Sequence, residues 1–195
     1  LLGTLKTLPA QLSMLIFFLY TGVELGLGLW AYTLLTESRG VDPQTAGFVT
    51  GSYWGMFTIG RLLAGLYASK IGGKKLIFLS VSLALSGIVL LLTNTGQLTS
   101  ILGIGVAGFA IAPIFPGLVS STTSRVGISH QANTIGMQMA AAGFGTLVVP
   151  SLAGVLAKIY GLEVIPPYLL IVLLLMLLVF AGLHLNSKKL GLNID

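Results

Sequence analysis

The chain has 195 residues, 8% of them charged and 55% apolar, with a net charge of +5 and no cysteine. A soluble domain carries roughly 25% charged residues, and a chain of this size could not hide so large an apolar share in one core. The class is therefore a polytopic α-helical protein solvated by the lipid bilayer; disulfides and thiolate metal sites are excluded, and the basic residues, scattered at helix ends, form no nucleic-acid patch.

The chain begins at Leu1 with no signal-peptide pattern, so a fragment or processed product is expected. Six apolar stretches meet the length of about 20 residues that a spanning helix needs. They run from about Gln11 to Leu35, Gln44 to Ser69, Lys75 to Thr93, Leu98 to Ser121, Gln131 to Ile159 and Pro167 to Leu185. Short loops join them. Asp42-Pro43 suits a helix start, with the aspartate as cap and proline at the first helical position. Ile71-Gly72-Gly73-Lys74-Lys75 allows only a tight reversal. Lys6, Lys70, Lys74, Lys75, Arg125, Lys188 and Lys189 fall on one side, Arg39 and Lys158 on the other. The first set should face the cytoplasm, and six spans then put both termini there.

The first span holds Glu24, with Gly22, Gly26 and Gly28 expected to loosen the helix around it. In the second, Gly47, Gly51, Trp54, Thr58, Arg61, Gly65 and Ala68 form one small or polar stripe. Such a stripe is a helix-packing surface first, and otherwise the wall of an aqueous cavity. Arg61 lies about 12 Å of helix from the cytoplasmic end. A guanidinium there must snorkel, pair or face a cavity, and pairing or a cavity accounts best for its cost. Glu24 lies one to two turns deeper on an antiparallel neighbour, with Tyr20 and Gln138 nearer its level. The working expectation is a mid-membrane carboxylate facing a polar cavity with Arg61 nearby. The alternative is a structural carboxylate bonded to helix ends.

Pro113 and Pro116 should bend the fourth span, and Pro150 the fifth, beyond the close-packing segment Ala140–Gly145. Trp30, Tyr53 and Trp54 read as interfacial anchors or, less commonly, as sugar-stacking platforms. The histidines, His130 and His184, lie at or near helix ends, and Glu24 is the carboxylate within a span. That inventory offers no catalytic pair, no metal-ligand cluster and no phosphate loop, so neither enzyme chemistry nor a cofactor or metal is expected.

The exit of the second span, with Gly65, Lys70, Gly72 and Lys74, resembles the loop pattern that recurs in each six-helix half of the major facilitator superfamily. Ser69 stands where that pattern has aspartate, which removes the charge latch attributed to it. Phe18–Glu24, Leu29-Trp30, Gly51–Gly55, Gly60-Arg61 and Gly108–Pro116 are similar to the C-terminal half of the fucose permease-like family of fucose, galactose and glucose symporters. The resemblance implies an all-α fold of six spans built as two inverted three-helix repeats. It implies alternating-access transport of a small polar solute such as a sugar, coupled to protons or sodium. It also implies a partner, either an N-terminal six-helix half or a second copy. Glu24, Arg61, Tyr20, Trp30 and Gln138 are the expected solute or coupling residues. A drug or metabolite exporter on the same fold and a non-transporting scaffold or receptor half are the rival readings.

Overall fold

The structure is a computed structural model that describes residues 2–189, without the side chains of Leu2, Ser69 and 185–189. The described residues are helical throughout: α1 (Leu2–Leu5), α2 (Leu8–Thr33), α3 (Pro43–Ile71), α4 (Gly73–Thr93), α5 (Gln97–Ile111), α6 (Ile114–Ser120), α7 (Thr122–Val126), α8 (Ile128–Tyr160) and α9 (Ile165–Lys189). A π-helical turn, Leu34–Ser38, extends α2, and a 3₁₀ turn, Leu162–Val164, precedes α9. Five segments are long and apolar enough to cross a membrane: Leu8–Ser38, Gly73–Thr93, Gln97–Ser120, Ile128–Tyr160 and Leu162–His184. The stretch expected to be the second span forms α3, which has the length, 29 residues. It falls outside that set because Arg61 and the small and polar residues of its stripe dilute its apolar face.

Local chemistry sets the boundaries. Asp42 Oδ2 accepts hydrogen bonds from the main-chain N–H groups of Gln44 and Thr45, both at 3.1 Å, and Pro43 opens the helix as expected. Gly72 closes α3 and opens α4 at φ 81°, a conformation that side chains resist. The fourth stretch breaks at Ala112-Pro113, where α5 stops and α6 starts. Pro150, by contrast, sits inside an unbroken α8.

The main helix contacts are α2 with α8, α4 with α5, α3 with α5 and α2 with α9. These come in exchangeable pairs: swapping the triple α2, α3, α4 with the triple α5/α6, α8, α9 turns α2–α8 into α5–α3 and α2–α9 into α5–α4. The close contacts follow the same exchange. Gly145 of α8 lies on the carbonyl of Phe18 in α2, and Gly60 of α3 lies on the carbonyl of Phe109 in α5, with no room for a Cβ in either place. Between helices in lipid, such backbone approach stands in for hydrophobic attraction. Thr21 Oγ1 adds a bond across α2–α8 to the carbonyl of Ala142 at 2.9 Å.

Two expectations about glycine are corrected. Gly22, Gly26 and Gly28 do not loosen α2, which runs unbroken through them; they seat Val149, Leu169 and Trp54 respectively. Apart from Trp54, which packs on Gly28, the glycines of the α3 stripe form no packing surface among the described residues. Gly47, Gly51 and Gly65 have open space around them, while the adjacent edge, Ala46, Val49, Tyr53, Phe57, Gly60 and Ala64, is buried.

Candidate functional site

Glu24 lies midway along α2 with 9% of its surface exposed. Its Oε2 and the hydroxyl of Tyr20, one turn earlier, are both buried and bond to no third group among the described residues. The Tyr20 hydroxyl acts on the carboxylate as a hydrogen-bonding neighbour, and Arg61 acts on it through its charge. Arg61 does not form an ion pair with it; the ion pair among the described residues joins Arg39 and Glu163. Instead the exposed Arg61 guanidinium lies over the ring of Phe57, 4.5 Å from its centroid, with Phe115 at 5.8 Å. Phe115 in turn contacts the ring of Tyr20 at 6.1 Å and that of Phe17 at 5.4 Å. The Phe115 ring therefore links the Arg61 cation to the Tyr20 ring beside the carboxylate.

The offset has a geometric cause. Tyr53 donates to the main-chain carbonyl of Glu24 at 2.9 Å, which sets the level at which α3 passes α2. Arg61 lies eight residues further along α3, about 12 Å of helix. The rings of Phe57 and Phe115 hold its charge by cation–π attraction in place of a carboxylate. Arg61 also lines a cavity of about 390 Å³ between α3, α4 and α6, with Gly65, Ala68, Gly73 and Ser120.

The other expected residues are placed elsewhere. Trp30 is half-buried at the α2–α8 seam, where its indole N–H donates to the carbonyl of Pro150 at 3.0 Å and its ring covers Gly154. Gln138 is fully buried and bonds to Thr122 at 3.2 Å, whose hydroxyl also accepts from Arg125 at 3.2 Å. In the loop, Gly65 and Lys70 are exposed, Gly72 forms the turn, and Lys74 donates to His184 Nε2. The side chain of Ser69 and those of Lys188 and Lys189 lie outside the described residues.

Three residues outside the expected set carry more than their sequence context suggests. Tyr53 is no interfacial anchor: it is fully buried and ties α3 to Glu24. Arg125 is not a solvated loop cation but 2% exposed. Arg39 binds Glu163 at 2.7 Å, Ser100 Oγ at 2.7 Å and the carbonyl of Leu91 at 2.9 Å, joining four segments at the end of the bundle opposite Lys74. A lone tyrosine between Ser52 and Trp54 gave no sign of burial, but an arginine immediately after the serine- and threonine-rich Ser120–Ser124 is a signal that points to a capped, inward-turned cation.

The chain matches the family model described as Major Facilitator Superfamily over residues 12–191. It is 25% identical over 162 residues to Bypass of stop codon protein 6 of Saccharomyces cerevisiae, covering 78% of this chain and 33% of that protein. It is 28% identical over 153 residues to Sodium-dependent glucose transporter 1 of Homo sapiens, covering 76% and 29%. It is 24% identical over 149 residues to Major facilitator superfamily domain-containing protein 4A of Homo sapiens, covering 75% and 29%. The chain thus spans about a third of the length of these curated relatives. With a match over nearly its whole length and a set of apolar helices to carry it, the chain belongs to the major facilitator superfamily and is an integral, multi-pass membrane protein.

Proposed function

We propose that this chain is one six-helix half, the C-terminal one, of a secondary transporter that moves a small polar solute, preferably a sugar, by alternating access. The observation that carries the proposal is the buried Glu24 carboxylate, which has no ion pair among the described residues and shares its buried place with the Tyr20 hydroxyl, neither group bonding to a third. Leaving such groups unpaired inside a bundle is costly, and proteins retain them where a ligand, proton or ion completes the bonding. Glu24 and Tyr20 would then bind the solute or coupling ion. Arg61, held on the Phe57 and Phe115 rings, would supply a positive field that keeps the carboxylate responsive to protonation or sodium.

α3 completes the six spans in this reading, its open stripe lining the cavity between two halves. The exchangeable contacts favour two inverted three-helix repeats as the building units. The open stripe also favours a partner, either an N-terminal half or a second copy, and the distribution of lysine favours cytoplasmic termini. The relative named as a sodium-dependent glucose transporter supports the sugar and sodium assignments.

The test is uptake of labelled sugars into proteoliposomes holding the intact natural protein, with and without a sodium or pH gradient. Accumulation driven by one gradient is the expected result. Export of apolar cations in its place would assign the exporter function. No solute-dependent flux or thermal shift would leave a scaffold.

A further inference from the structure

A second cavity, of about 370 Å³, lies at the Lys74 end of the bundle, between the start of α4, the α6–α7 turn and the end of α9. Arg125 lines it. The guanidinium is 2% exposed; Nη2 donates to the carbonyl of Leu118 and, at 3.2 Å, to Thr122 Oγ1, but Nε and Nη1 have no partner among the described residues. Burial pushes Arg125 down to about 10, so it remains a cation at neutral pH. Lys74 enters from α4 and donates to His184 Nε2 on the opposite wall. No aspartate or glutamate lines the cavity among the described residues.

The rest of the lining fits an anion. α4 begins at Gly73, on the cavity wall, with no capping side chain, so the positive end of its dipole lies at the edge of the same space with no side-chain acceptor on it. Ser121 and Ser124 already donate to the carbonyls of Gly117 and Ser121, at 2.7 and 2.9 Å. They shape the wall, and the free donors are charged. The Arg125 guanidinium, with two nitrogens unpaired among the described residues, and the Lys74 ammonium line one space large enough for a tetrahedral group.

We propose that this cavity binds a phosphate-type oxyanion, held by Arg125 and Lys74 with the start of α4. The group is either the headgroup of an anionic lipid or a soluble phosphate. This site is separate from Glu24 and does not depend on the solute assigned above.

The test is thermal unfolding of the intact protein in two arms. In detergent, inorganic phosphate is titrated against chloride at constant ionic strength. In nanodiscs, phosphatidylcholine is compared with the same lipid containing phosphatidylglycerol. A saturable rise in Tm in the first arm identifies a soluble phosphate; a rise confined to the second identifies a headgroup. Lys74→Gln, a half-buried position whose loss leaves the core intact, should raise the half-saturating concentration about tenfold, the effect of one charge-assisted hydrogen bond. Arg125→Lys should weaken binding as well, since one ammonium cannot both keep the bonds to Leu118 and Thr122 and supply the donors left at Nε and Nη1. A flat response in both arms, or a Lys74→Gln response equal to the parent's, overturns the proposal.

Discussion

The phenolic hydroxyl of Tyr53 donates to the main-chain carbonyl of Glu24 at 2.9 Å, so the helix carrying the buried carboxylate is registered against the helix carrying Arg61. The same ring fills the space over Gly108, where a Cβ would sit 2.7 Å from it. Tyr53 therefore holds α2, α3 and α5 together at one level. Tyr53→Phe keeps the ring and loses the bond, and should cost about 1 kcal/mol in a detergent unfolding measurement. Tyr53→Ala also empties the contact with Gly108 and should cost about 3–5 kcal/mol. Equal losses for the two variants would show that the hydroxyl, not the ring, is the joint.

Glu24→Gln separates function from folding. The carboxylate has no ion-pair partner, so removing its charge relieves desolvation and breaks no salt bridge. Thermal stability should stay level or rise. Coupled uptake should fall about tenfold or more, the equivalent of about 1.4 kcal/mol at the solute or ion. Wild-type rate and affinity for the variant would remove Glu24 from the site.

Arg39 and Glu163 carry unequal shares of their pair. The arginine side chain is 4% exposed and the glutamate's 42%, and the arginine also serves Ser100 and Leu91. Arg39→Ala strips partners from α4, α5 and the turn before α9 at once and should cost about 2–3 kcal/mol. Glu163→Gln leaves Arg39 its other two acceptors and trades a half-exposed ion pair for a neutral bond, a change of about 1 kcal/mol or less. Comparable losses in a melting experiment would mean that the ion pair, not the arginine's bridging, secures that end.

The helices were legible because apolar length and the Asp42, Gly72 and Pro113 punctuation act locally. The level of Glu24 relative to Arg61 was also legible, since both depths follow from rise per residue. What side chains meet was not. The α3 stripe and the glycines around Glu24 share one composition, yet Gly28 seats Trp54 while Gly51 faces open space. Composition gives a glycine's capacity for contact, and only the neighbouring helix decides whether the contact is made. What Arg125 and Gln138 bond to was hidden for a related reason: their common partner Thr122 lies in a short helix, α7, that no apolar periodicity announces.

The exchange of contacts between the two helix triples makes a prediction about paired glycines. Gly60 and Gly145 occupy matching places, each on the carbonyl of a phenylalanine in the first helix of the other triple. Main chain cannot yield as a flexible side chain does, so Gly60→Ala and Gly145→Ala should each push two helices apart and cost about 1–3 kcal/mol. The two penalties should be similar because the two crossings are equivalent. Gly51→Ala and Gly143→Ala, on the same helices but with open space around them, should be neutral, or gain up to about 1 kcal/mol from helix propensity. Melting curves of the four variants in one detergent measure this directly. A large penalty at Gly145 with none at Gly60 would mean that α3 and α5 do not meet as α8 and α2 do, and that the repeat reading holds for only one crossing.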